Sequence, residues 1–206
     1  MSKVVSATSS LPVMESFYTI QGEGAHTGKA AFFIRLAGCD VGCTWCDVKD
    51  SWNADLHPSI TIEKLLADTS KHPANMVVIT GGEPCMYDLS ELLNGLRQSG
   101  KQSHIETSCA YMLHGNADWV CVSPKKFKKP LPEMISLADE LKVVVFHPSD
   151  LDWAESFLKD VKPSCQLFLQ PEFGKSNKMA PLIVEYVKNN PIWRISLQTH
   201  KTLEIP

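Results

Sequence analysis

The sequence has 206 residues, of which 44% are hydrophobic and 21% charged, with a formal net charge of −3. That length suits one domain with a sizeable core, and the charge balance argues against a nucleic-acid binder. No apolar run approaches the ~20 residues of a membrane span. The opening MSKVVSATSSLPVM lacks the apolar core of a secretory signal, so the seven cysteines are assigned to a reducing compartment, taken as the cytoplasm.

In chain order, AFFIRL at 31–36 reads as a strand and runs into GCDVGCTWCDVKDSW at 38–52. TIEKLLADTS at 61–70 reads as a helix, with Thr61 placed to cap it and Ile62, Leu65, Leu66 and Thr69 on one face. MVVIT at 76–80 reads as a buried strand leading to GGEP. A helix over DLSELLNGLRQSG follows, with Asp88 at its start, Glu91 three residues on and Gly100 past its end. SHIET (103–107), WVCVS (119–123), LKVVVF (141–146), CQLFLQ (165–170) and WRISLQ (193–198) read as further strands, and 149–161 and 177–190 as helices. Strands alternating with helices predict parallel βα units, an α/β fold, without a domain-splitting linker.

Each unusual polar group falls at the C-terminal end of one of these strands: the cysteines, GGEP, ETS at 106–108, SPK at 123–125, QPE at 170–172 and QTHK at 198–201. In parallel α/β folds that rim binds ligands, so the dispersed motifs are expected at one mouth. The basic run KKFKK at 125–129 is read as a solvated loop.

Cys39, Cys43 and Cys46 are spaced CxxxCxxC. Structural zinc takes four closed ligands, commonly from two pairs, and no second pair exists here. Cys85, Cys109, Cys121 and Cys165 lie singly and read as small buried hydrophobes. Three thiolates suit a 4Fe–4S cluster with one iron left open. With Trp45 before the last cysteine, the motif resembles that of the radical S-adenosylmethionine superfamily. In that superfamily the open iron takes the methionine amino and carboxylate groups. TGGEP at 80–84 resembles its motif for the methionine amino group, with Glu83 as the candidate partner.

The resemblance extends further. ESFYTIQGEG (15–24), FIRLAGC (33–39), CDVKDSW (46–52), VVITGGEP (77–84), IETS (105–108), VSPK (122–125) and SLQTHKTLEIP (196–206) together resemble the 7-carboxy-7-deazaguanine synthase family. The resemblance implies a reduced, partly open parallel (β/α) barrel in a single domain over 1–206, with a substrate-binding segment at about 14–30 and the core at about 31–206. It implies radical ring contraction of 6-carboxy-5,6,7,8-tetrahydropterin to 7-carboxy-7-deazaguanine with loss of ammonia, on the way to queuosine in tRNA. Cys39, Cys43 and Cys46 would ligate the 4Fe–4S cluster. Trp45, Cys46, Asp47, Gly82, Glu83, Ser108, Ser123, Pro124 and Lys125 would contact S-adenosylmethionine. Ile20, Gln21, Gly22, Glu23, Arg35, Thr80, His200 and Pro206 would line the pterin pocket. Magnesium, a flavodoxin- or ferredoxin-type electron donor and a homodimer are also implied.

Those roles suit the residues. A pterin's amide-and-amine edge can be read by Gln and Glu, and its carboxylate gripped by an arginine. On the residues alone, Arg35 could equally form a structural salt bridge, QGEG a turn and His200 part of a frayed tail. Two positions depart from the family pattern: Val48 replaces a threonine that helps to bind magnesium, and Cys109 a glycine, adding bulk beside the cofactor. Two other functions stay open: an activase that makes a glycyl radical on a partner protein, and a non-catalytic zinc or iron–sulfur binding module.

Overall fold

The computed structural model describes residues 9–206, so the leader reading lies outside the described residues where it concerns 1–8. Its strands are β1 (Ser10–Ile20), β2 (Ala30–Leu36), β3 (Ser59–Thr61), β4 (Met76–Gly81), β5 (Gln102–Thr107), β6 (Trp119–Val122), β7 (Glu140–Val145), β8 (Gln166–Pro171) and β9 (Trp193–Ile195). The helices are α1 (Ile62–Ser70), α2 (Ser90–Gln98), α3 (Pro132–Ser136), α4 (Asp150–Glu155), α5 (Ser176–Asn189) and α6 (Thr199–Leu203). The nine strands form one sheet in the order β3-β1-β2-β4-β5-β6-β7-β8-β9. From β2 to β9 every pairing is parallel, and the sheet stays open.

The βα alternation thus holds from β2 onward, and β1 is the main addition. Its eleven residues pair antiparallel with both β2 and β3, and the register shifts between Val13 and Glu15. The helix expected over 149–161 is regular only as α4. The strand expected over 193–198 ends at Ile195, because the chain turns away to dock elsewhere.

Period-two alternation sorts the strands into two faces. One packs beneath the helices: Ile34, Ile79, Ile105, Leu141, Val143 and Leu169 join Leu65, Leu92, Leu93 and Leu96 in the main core. Each leucine so buried contributes about 1.5–3 kcal/mol. The other face carries Arg35, Thr80, Glu106, Lys142 and Gln170, one from each of β2, β4, β5, β7 and β8. Arg35 lies beside Thr80, and Glu106 beside Cys121. Five polar side chains on one face of a sheet need partners or a ligand.

Candidate active site

The polar face opens on a cavity of about 250 Å³ at the C-terminal ends of the parallel strands. Its wall includes Cys39, Cys43 and Cys46 together with Trp45, Asp47 and Val48 from the same loop. Backbone hydrogen bonds pin the base of this loop: Gly38 N donates to Ser51 O (2.6 Å) and Cys39 N to Trp52 O (3.1 Å). The three cysteines pack around Val41, Ala110 and Tyr111. Burial pushes the Cys39 thiol up and that of Cys43 up to about 11. Cys85, Cys109, Cys121 and Cys165 do not border the cavity, so the local donor set is three thiols. That set fits a 4Fe–4S cluster with one open iron and leaves a closed zinc site one ligand short.

The GGE turn is stitched to the loop by its backbone. Gly82 N donates to Leu36 O and Glu83 N to Gly38 O, both at 2.8 Å. Gly81 has φ +111°, and a Cβ there would lie 2.2 Å from Leu36 O. A Cβ on Gly82 would lie 2.2 Å from Gly38 O, so only glycine admits this approach. Glu83 is turned into the wall rather than the cavity. Its buried carboxylate accepts from Cys85 N (3.0 Å), Thr107 Oγ1 (2.6 Å), Ser108 N (2.8 Å) and Ser108 Oγ. With four donors already bound, it has little capacity left for an ammonium. Pro124 likewise stands behind the lining, whereas Gly82, Ser108, Ser123 and Lys125 border the cavity. Lys125 Nζ donates to Ser123 O (2.5 Å) and Oγ (2.6 Å) and sits 5.7 Å from the Trp45 ring centre. Burial pushes its pKa down.

KKFKK is less solvated than its composition suggests. Lys126 pairs with Asp150 (2.5 Å), and Lys128 pairs with Asp40 (2.6 Å) beside the cysteine loop. Cys109 holds a left-handed φ of +67°, which accounts for the glycine expected there. Its side chain is buried in the core, so it adds no bulk to the cavity.

The opposite wall is an ionic network. Lys142 Nζ lies 2.5 Å from Glu23 Oε2 and 3.7 Å from Glu106 Oε1. Gln21 Nε2 donates to Glu106 Oε1 (3.0 Å), Thr80 Oγ1 to Glu106 Oε2 (3.2 Å) and Gln198 Nε2 to Glu23 Oε1 (2.8 Å). Burial pushes the Glu23 carboxyl up, but Lys142 and the surrounding donors outweigh it and bring the pKa from 4.5 to about 2. Burial likewise pulls Lys142 down, and Glu106 and Glu23 more than reverse it. Arg35 borders the cavity while pairing with Glu15, and its guanidinium lies 5.0 Å from the Phe17 ring centre.

The tail closes the wall. Thr199 donates to Gly22 O through N (3.0 Å) and Oγ1 (2.8 Å), which seats His200 against Gly22. Burial lowers the His200 pKa. Lys201 Nζ bonds Asp47 Oδ2 at 2.6 Å, tying the tail to the cysteine loop. Ile20, Gln21, Gly22, Glu23, Arg35, Thr80, His200 and Pro206 thus share one cavity with the three cysteines. The sequence reading placed Glu106, Gln170 and Gln198 at the rim within ETS, QPE and QTHK but gave them no role, and it missed Lys142, which carries no motif signal at all.

An open parallel barrel with three thiols and a glycine cradle at its C-terminal rim is the architecture of a radical S-adenosylmethionine enzyme. A model described as "4Fe-4S single cluster domain" matches residues 20–144. The 7-carboxy-7-deazaguanine synthase of Flavobacterium psychrophilum is 53% identical over 95% of this chain and 93% of its own. Those of Synechocystis sp. and Escherichia coli K12 are 44% and 36% identical, covering 96% and 94% of this chain and 95% and 98% of their own. The crystal structure of QueE from Escherichia coli superimposes with a TM-score of 0.84 at 33% identity, over 92% of this chain and 94% of the other. The chain belongs to the 7-carboxy-7-deazaguanine synthase family.

Proposed function

We propose that this chain converts 6-carboxy-5,6,7,8-tetrahydropterin to 7-carboxy-7-deazaguanine and ammonia, for queuosine synthesis. The observation that carries the reading is the acceptor array of Glu23 and Glu106, bridged by Lys142 and backed by Gln21, in the cavity that the three cysteines line. Glu23 and Glu106 face the donors of the pterin's amino-pyrimidinone edge. Arg35 offers two donors to its carboxylate. Cys39, Cys43 and Cys46 would hold the cluster; Gly82, Ser108, Ser123 and Lys125 would seat S-adenosylmethionine. Bound there, these cofactors supply the carbon-centred radical that takes and returns a hydrogen. Trp45, Gln198 and the tail keep water out. Anaerobically reconstituted protein with reductant should form the deazapurine from the carboxypterin without accumulating 5′-deoxyadenosine. Stoichiometric accumulation of the nucleoside without deazapurine would indicate activase chemistry instead.

A magnesium site fits this chain poorly. Val48 borders the cavity without a side-chain oxygen, and Lys201 already engages one oxygen of the Asp47 carboxylate. The wild-type rate is therefore expected to be nearly indifferent to magnesium, whereas Val48→Thr should make it magnesium-responsive. Titrating both proteins with the metal checks this, and identical curves would refute it. The reading further takes a flavodoxin- or ferredoxin-type electron donor, a homodimer and a cytoplasmic location. The seven free cysteines suit a reducing compartment, and among the described residues no helix is long and apolar enough to cross a membrane.

A further inference from the structure

The cysteines and tail crowd one end of the barrel. Toward the other end, near the starts of β6 and β7, lies a second cavity of about 10 Å³. Glu23 and Glu106 border both cavities. That volume is about the least that holds one water molecule.

His26 forms part of its lining. On the exposed side Lys29 Nζ donates to His26 Nδ1 at 3.0 Å, which puts the ring's own N–H on Nε2. Nε2 is buried and has no partner among the described residues, and the same holds for the indole Nε1 of Trp119. The His26 ring lies 4.5 Å from both the Trp119 and His104 rings, centre to centre, and packs against each edge-on. Also in the lining is Glu140, whose carboxylate accepts from Ala25 N at 3.1 Å and lies 3.6 Å from Cys121 Sγ.

Buried donors in folded proteins are almost always paired. Two N–H groups and several carboxylates border one small space. A ligand there has to accept two hydrogen bonds and donate to an acid. Water does both; an ammonium ion cannot accept, and a halide cannot donate.

We propose that this cavity holds one ordered water, and that His26 and this water form a proton path from solvent to the buried site. Lys29 gives a proton to His26 Nδ1 as His26 passes its Nε2 proton to the water and the water gives one of its own to Glu106. Solvent reprotonates Lys29 and a flip of the ring restores the Nε2–H tautomer, so one proton moves inward and no redox change occurs. The path rests on the proposed reaction in one respect: ammonia leaving as ammonium takes up one proton per turnover.

A high-resolution crystal structure of the full chain should show a water bonded to Trp119 Nε1 and His26 Nε2. A cavity without density overturns the site. With the reconstituted enzyme, His26→Ala should slow turnover by roughly 10-fold or more, and added imidazole should restore it. His26→Gln keeps a donor but cannot relay, so it should be slow and indifferent to imidazole. Cluster content and thermal stability of both variants control for folding. Unchanged turnover in both variants, or a loss in His26→Ala that imidazole does not restore, overturns the path. Wild-type protein that makes no deazapurine would strike the proposed reaction instead, leaving the water to the crystallographic test.

Discussion

Replacing Lys142 by methionine should lower both stability and substrate affinity, by different routes. Its ammonium is the cation that Glu23 and Glu106 share, and its side chain is 5% exposed. Removing one partner of a buried pair costs about 3–5 kcal/mol, because the stranded charge keeps its desolvation penalty. In a chain of this size that is a fall in Tm on the order of 10 °C. The substrate effect has a pH signature. In the wild type, Glu23's folded pKa of about 2 lies below its ordinary 4.5. Its stabilising contribution is therefore complete above pH 4.5 and lost as the pH falls towards 2. Without Lys142, burial dominates and the pKa rises, so the array loses acceptor character as the pH drops. The variant's kcat/KM should fall about 10- to 100-fold, the loss of one charge-assisted hydrogen bond, and should decline further on acidification. Lys142→Arg keeps the charge and should recover part of both losses. A flat pH profile in the methionine variant would count against a positioning role.

Glu83→Gln should be the second large effect. The carboxylate accepts four hydrogen bonds, two from backbone N–H groups and two from hydroxyls. An amide has one oxygen and one NH2, so the NH2 would face two of the groups that had been donating to a carboxylate oxygen. The cost is roughly 3 kcal/mol from unpaired donors and lost charge assistance. Because Glu83 ties the GGE turn to Ser108, and both Gly82 and Ser108 border the cavity, S-adenosylmethionine affinity should fall while cysteine-bound iron is retained. Calorimetric binding and iron analysis on the same preparation would separate the two. Loss of iron in parallel would show the damage to be general.

What the sequence disclosed depended on how its signals were distributed. Cys39, Cys43 and Cys46 form a contiguous ligand motif, and the GGE turn needs its glycines for local reasons, so both were readable in place. Lys142 was not. It stands in the run LKVVVF, and its partner Glu23 is 119 residues away, so only the barrel brings them together. The polar face of the strands was hidden by their outer face, where Ile79, Ile105 and Val143 supply the apolar signal. Strand β1 escaped because Pro12 and the shift between Val13 and Glu15 break its alternation. Glu83 is the opposite case: its motif was visible, but the direction of its side chain is set by Thr107 at the end of β5 and Ser108 just past it.

An open barrel leaves two strands with unpaired outer edges, and such edges can recruit strands from other molecules. Here the outermost strands are β3 and β9, each only three residues long. At one side the chain leaves β3 for a helix; at the other it turns from β9 to seat Thr199 on Gly22. β3 covers only Ser10–Pro12 of β1, so the longer unpaired edge of this sheet is the outer side of β1 from Glu15 to Ile20, and that is where an added strand would find room to pair.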